Sequence, residues 1–185
     1  MPQKMSIRLW SDGHSFPREQ LKALREQRGV GDVEIELLSS RTTLVPACCF
    51  SPEQAESLLS LAGQPCHDTE TAVWSDAWEG VVAVMAIDRA TLEQLPKSVR
   101  FTSPLLSLKG ETKESVLLAR YENLLYIKVW DARLRLAEVI RVDSEEDLLY
   151  YLTRLGEVLP LRNYSLVVAG DDSKSLRKVV KKYFK

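Results

Sequence analysis

Three apolar runs lie one behind another in the second half of the chain. They are Ser115-Val116-Leu117-Leu118-Ala119-Arg120-Tyr121, Leu124-Leu125-Tyr126-Ile127-Lys128-Val129-Trp130 and Leu134-Arg135-Leu136-Ala137-Glu138-Val139-Ile140-Arg141-Val142. Each is rich in the branched and aromatic residues that suit a pleated, packed surface. Only Glu122-Asn123 and Asp131-Ala132-Arg133 separate them. Connections that short make hairpins, whereas a parallel crossover needs a dozen residues or more. Residues 115–142 therefore read as an antiparallel three-stranded meander.

Toward the C-terminus, Asp143 or Ser144 caps a helix with Glu145, Glu146 and Asp147 in its first turn, where the backbone dipole favours negative charge. Leu148, Leu149, Leu152, Leu155 and Leu159 mark its buried side, shared by Tyr151, and Glu145, Arg154 and Glu157 are expected to stay wet. Pro160 ends it. Ser165-Leu166-Val167-Val168-Ala169 reads as a buried strand, Gly170 ends that strand, and Ser173 starts a final helix to Phe184.

Toward the N-terminus, Met5 to Trp10 alternates as a strand with one wet face, and Asp12-Gly13 supplies a tight turn. Pro17 to Gln27 reads as a helix or lid-like insertion closed by Gly29 and Gly31. Strands follow at Val33–Leu38 and Thr42–Val45, the second bending or meeting an edge at Pro46. Ser51 caps a helix carrying Ala55, Leu58, Leu59 and Ala62 on its apolar stripe, with Gly63 as its stop. Gln64 to Gly80, with Trp74 and Trp78, reads as an irregular polar connection. The unbroken apolar run Val81 to Ile87 fits a strand buried on both faces. Asp88 caps a helix from Arg89 to Leu95, Pro96 stops it, and Val99–Thr102 is a further short strand.

The order decides the fold class. The second half reads strand, strand, strand, helix, strand, helix, and the first half starts in the same way. A three-stranded meander followed by alternating helices and strands is the layout of a ribonuclease-H-like unit, and two in tandem make the actin-like ATPase fold. The expected fold is thus α/β, two tandem units of mixed sheet with helices. The polar stretch Gly110 to Glu114 sets the boundary, giving units at 1–112 and 113–185.

Composition narrows the function. The chain has 185 residues, 25 basic and 26 acidic, for a formal net charge of -1. That balance argues against a surface devoted to nucleic acid or anionic lipid. No apolar stretch reaches the roughly 18 residues of a membrane span. Met1-Pro2-Gln3-Lys4-Met5 has neither the apolar core nor the cleavage site of a secretory signal. The three cysteines, Cys48, Cys49 and Cys66, are too few and too irregular for a disulfide framework. The expectation is a cytoplasmic protein with reduced thiols.

Four stretches carry a resemblance. They are Leu9-Trp10-Ser11-Asp12-Gly13-His14-Ser15-Phe16; Leu44-Val45-Pro46 with Phe50 and the helix after it; Val99-Arg100-Phe101 to Pro104-Leu105-Leu106; and Glu145 to Leu152 with Leu166 to Gly170 and Lys182-Tyr183-Phe184. Together they resemble a Bacteroidetes family known only as domain-of-unknown-function family 3822. The resemblance implies a bacterial protein with an actin-like fold, similar to pilus-assembly and secretion proteins that share it, and it implies no specific activity. The chain is shorter than typical members and ends just after its last helix, which implies an incomplete second unit.

Actin-like ATPases need an acidic residue and glycines in the turn after the first strand of each unit, the carboxylate for the metal and the glycines for backbone approach to phosphate. The first unit offers Asp12-Gly13, more simply a hairpin turn. The second offers Glu122-Asn123, without glycine, and the late turn Gly170-Asp171-Asp172-Ser173, more simply a helix cap. If Mg-ATP binds, Asp12, Gly13, Gly170, Asp171 and Asp172 are the residues to hold it. No Walker or dinucleotide glycine motif occurs. If the strand continued past Pro46, Cys48 and Cys49 would point to opposite faces and could not easily share one ion. Cys66-His67 lacks zinc-knuckle spacing, so no metal is expected. With His14 and His67 as the two histidines, no catalytic triad can be assembled. The basic tail from Lys174 to Lys185, with Leu176, Val179, Val180 and Tyr183 at helical spacing, reads as a packed terminal helix with solvated lysines. The sequence thus points to a non-catalytic actin-like scaffold or interaction module with a protein partner. The alternatives are a nucleotide-binding ATPase, and nucleic-acid or anionic-surface binding through the basic tail.

Overall fold

The structure, a computed structural model, describes residues 5–11, 33–108 and 114–184. The expected Asp12-Gly13 turn, the Pro17–Gln27 helix with Gly29 and Gly31, and Gly110–Lys113 of the boundary stretch lie outside these residues. The chain divides into two compact units, Met1–Leu106 and Ser107–Lys185.

The first unit runs β1 (Met5–Trp10), β2 (Val33–Leu38), β3 (Thr42–Pro46), α1 (Ala55–Leu61), β4 (Glu70–Trp74), β5 (Val81–Asp88), α2 (Arg89–Glu93) and β6 (Val99–Thr102), and the helical turn α3 (Pro104–Ser107) follows. One sheet has the order β1-β2-β6, the other β3-β5-β4. The strand β5 explains its own composition. Ala83, Met85 and Ile87 pack with Leu9, Ile35 and Leu37 in one core, while Val82, Val84 and Ala86 pack with Ala55 and Leu59 of α1 in another. A strand covered on both faces has no use for polar residues, hence the unbroken apolar run.

Three expectations change here. The first two strands are not a hairpin: β1 pairs parallel to β2 in the register Met5↔Val33 to Trp10↔Leu38, and β2 pairs parallel to β6. Residues 11–32 separate β1 from β2, long enough for the crossover that parallel pairing needs. The supposed irregular stretch contains β4, which pairs antiparallel with β5; residues 75–80 join them, and at the tip Trp78 and Val81 exchange backbone hydrogen bonds of 2.8 and 3.0 Å. Glu79 and Gly80 both adopt left-handed backbone there, with φ of 49° and 78°. Ser51 does not cap α1. It precedes a 3-10 turn, Pro52–Gln54, and its hydroxyl donates to the Glu53 carboxylate instead. Asp88 does cap α2, accepting from the Thr91 N–H at 3.1 Å.

The second unit runs β7 (Glu114–Tyr121), β8 (Leu124–Asp131), β9 (Arg133–Arg141), α4 (Glu145–Val158), β10 (Ser165–Gly170) and α5 (Ser173–Val180). The meander is as expected, antiparallel from β7 to β9, with a bulge at Val129/Trp130. A capping box starts α4: the Ser144 hydroxyl accepts from the Asp147 N–H while the Asp147 carboxylate accepts from the Ser144 N–H. Leu148, Leu152 and Leu155 are buried against Val116, Leu118, Leu125 and Ile127 of the meander. Leu149 and Leu159 are half-buried.

Tyr151, expected on the buried side, is 38% exposed. At 100° per residue it stands well off the axis of the Leu148–Leu152–Leu155 stripe, and a tyrosine at the flank keeps its hydroxyl in water. The strand β10 is half-buried along its whole length rather than buried. It lies at the edge of the order β10-β7-β8-β9, with β7 as its one strand neighbour.

Candidate functional site

The late glycine–aspartate turn joins β10 to α5, as its position in the sequence implies. Gly170 has φ of 97°, and a Cβ there would lie 2.0 Å from the Arg120 carbonyl oxygen. Glycine is required by this close backbone approach to β7. The same carbonyl accepts from the Asp171 N–H at 3.0 Å. The Asp172 carboxylate accepts from the Ser175 N–H at 3.4 Å, so Asp172 caps α5, which starts at Ser173 as expected. Both aspartates are exposed. Asp12 and Gly13 lie outside the described residues, so the structure brings together Gly170, Asp171 and Asp172 of the five sequence candidates.

The turn between β7 and β8 is tied up in the same way. Glu122 takes left-handed backbone, φ 49°. Its carbonyl accepts from Arg120 Nε at 3.0 Å, and Arg120 Nη2 reaches the Val142 carbonyl at 3.3 Å. The Asn123 carbonyl accepts from the Val142 N–H at 2.7 Å, and its amide donates to the Asp143 carboxylate at 2.9 Å. Arg120 thus organises both turns through backbone oxygens. The sequence hides this role, because an arginine at a strand end is ordinarily a solvated charge.

At the far end of the β3-β5-β4 sheet three aromatic residues gather. Phe50 packs on Trp74 with ring centroids 5.7 Å apart, and Trp74 and Trp78 remain 39% and 47% exposed. Ala47 ties this end together, its N–H donating to the Gly80 carbonyl at 2.8 Å. Tryptophan is among the residues enriched at the hot spots of protein interfaces.

Other titratable groups of the first unit are engaged in its packing. Arg41 pairs with the buried Glu70, whose second oxygen accepts from the His67 N–H at 2.8 Å. Burial, reinforced by Glu56 and Glu70, pushes the nearby Cys66 thiol up. It therefore stays protonated at neutral pH and is a poor nucleophile. Among the described residues no group of three or more His, Cys, Asp or Glu side chains is placed to hold a metal. The strand ends at Pro46, where the sequence has it bend or meet an edge, so the divergence of Cys48 and Cys49 along a continuing strand does not arise. It gives way to a 3-10 turn, Ala47–Cys49, which turns both cysteines outward with their sulfurs 3.7 Å apart.

The basic tail also packs. Leu176 and Val180 are buried and Val179, Tyr183 and Phe184 half-buried in the core of the second unit, while Lys174, Arg177, Lys178, Lys181 and Lys182 are exposed. The Tyr183 hydroxyl reaches Thr153 and the Leu149 carbonyl of α4. Among the described residues no helix is long and apolar enough to cross a membrane.

No protein-family model matches the sequence, and no curated protein matches it. Among solved structures, a protein of Bacteroides thetaiotaomicron with an actin-like ATPase fold and unknown function is similar to it, with a TM-score of 0.71, 21% identity, and coverage of 98% of this chain and 88% of that one. The cytoplasmic domain of EpsL, an inner-membrane component of the type II secretion system of Vibrio cholerae, gives a TM-score of 0.47 at 14% identity, over 80% of this chain and 74% of that one. The first likeness spans nearly the whole chain, and the expected α/β architecture is the one found: the protein has the actin-like ATPase fold.

Proposed function

We propose that the chain is a non-catalytic actin-like scaffold or protein-interaction module of the bacterial cytoplasm, related to domain-of-unknown-function family 3822. The observation that carries this reading is the commitment of the Gly170–Asp172 turn. A phosphate bound there needs free backbone N–H groups and a neutral or positive surrounding. The Asp171 N–H is spent on Arg120, the Asp172 carboxylate on its own helix, and the two exposed carboxylates would repel a phosphate. The Glu122-Asn123 turn, without glycine, is closed by Arg120 and Val142. Trp74 and Trp78 supply the aromatic anchors of a partner surface in the first unit. The cysteines are all unpaired, which suits a reducing compartment. The burial of the apolar side of α5 favours a core element over a nucleic-acid or lipid-binding arm.

Calorimetric titration of the full chain with Mg-ATP tests the reading. The expected result is no saturable heat. Micromolar binding that disappears in Asp12→Ala would replace the scaffold by a nucleotide-binding ATPase.

A further inference from the structure

We propose that Cys48 and Cys49 form an exposed vicinal dithiol that chelates a thiophilic trivalent centre of the monosubstituted arsenical class. Both thiols are exposed, and their sulfurs stand 3.7 Å apart on the 3-10 turn that follows Pro46. The turn is tied at its start to the β4–β5 hairpin and closed on itself at its end. The Ala47 N–H donates to the Gly80 carbonyl at 2.8 Å, and the Phe50 N–H to the Ala47 carbonyl at 3.4 Å.

The sulfur spacing decides between two fates of such a pair. Two bonds from thiolates of about 2.3 Å span about 3.3–3.8 Å as the angle between them opens from the near-right angle of a pyramidal trivalent centre to the tetrahedral one. The observed pair already has that bite. A disulfide would require the sulfurs to close to about 2.05 Å, between Cα atoms that usually lie about 4.4–6.8 Å apart. Adjacent Cα atoms are held about 3.8 Å apart by the trans peptide. Chelation needs no movement of the turn, and a disulfide needs strain.

The coordination number narrows the ligand. Among the described residues no third His, Cys, Asp or Glu completes a metal site here. Structural zinc wants four protein ligands. A trivalent arsenical that brings its own organic substituent needs only two sulfurs. The step is balanced and involves no oxidation: two As–S bonds form, the As=O bond breaks, and its oxygen leaves as water with both thiol protons. The Cys48 sulfur, by hydrogen bond and by charge, pushes the Cys49 thiol up.

The test mixes the reduced full chain with one equivalent of phenylarsine oxide, read by intact mass and by titration of remaining thiols. The expected product is a single adduct that leaves one thiol titratable, withstands glutathione, and is reversed by a competing dithiol. Cys48→Ser and Cys49→Ser should each weaken binding about 100-fold or more, because the second bond is no longer intramolecular. Cys66→Ser should bind as the native chain does, and circular dichroism checks that each variant folds. An adduct that needs Cys66, one that glutathione strips, or undiminished binding by either serine variant at the turn would overturn the proposal.

Discussion

At Gly170 the chain passes so close to β7 that a Cβ would strike the Arg120 backbone at 2.0 Å, in a conformation of φ 97° that side chains rarely adopt. Gly63 has similar backbone, φ 74°, but nothing lies within 4 Å of its missing Cβ. The two positions separate backbone strain from steric overlap. Gly63→Ala should cost about 1 kcal/mol, the strain alone. Gly170→Ala should cost about 3 kcal/mol or more, because β10 must also move off β7. Urea denaturation of both variants checks the difference; equal losses would mean that the β10–β7 contact yields freely. The position of Gly170 was legible in the sequence as a strand end. Its reason was not, because the partner, Arg120, lies fifty residues away along the chain.

At the scale of elements, α4 is where composition and packing agree most closely. Leu152 is 1% exposed in the core of the second unit. Leu152→Ala should therefore cost about 2–5 kcal/mol. Glu157 makes only an exposed ion pair with Arg154, at 2.6 Å, and Glu157→Ala should stay within about 0.5 kcal/mol. Ser144→Ala removes one arm of the capping box and should cost about 1 kcal/mol, largely recovered in Ser144→Asp. Equal denaturation midpoints for Leu152→Ala and Glu157→Ala would mean that another face of α4 is buried. The meander and α4 could be read from the sequence because short connections and a local stripe define them. The strand β4 could not, since its five residues sit between polar loops and turn back through Glu79-Gly80, which lacks the usual Asn or Asp before glycine. Nor could the parallel pairing of β1 with β2, which depends on the long segment between them rather than on either strand. Tyr151 shows the limit of the helical stripe: it shares the buried side but lies far enough from the stripe's axis to stay wet.

At the scale of the whole molecule, the fold class was legible from the order of elements and from the resemblance, and the likeness to an actin-like fold over 98% of the chain agrees with it. The candidate site was legible only as a list of turn residues. What the sequence could not show is that Gly170 gives its space, and Asp171 its N–H, to the Arg120 backbone, while the Asp172 carboxylate accepts from Ser175. The same holds for the dithiol, since adjacent cysteines diverge on a strand and converge here because Pro46 ends it. The central claim, an actin-like chain that serves as a scaffold and binds no nucleotide, is tested most directly by thermal unfolding of the full chain with and without Mg-ATP. A ligand present at about 100 times its Kd stabilises a folded chain by about 2.7 kcal/mol, which raises the midpoint by about 5–10 °C at this chain length. The account predicts an unchanged midpoint; a rise of that size with Mg-ATP, absent with magnesium alone, would contradict it.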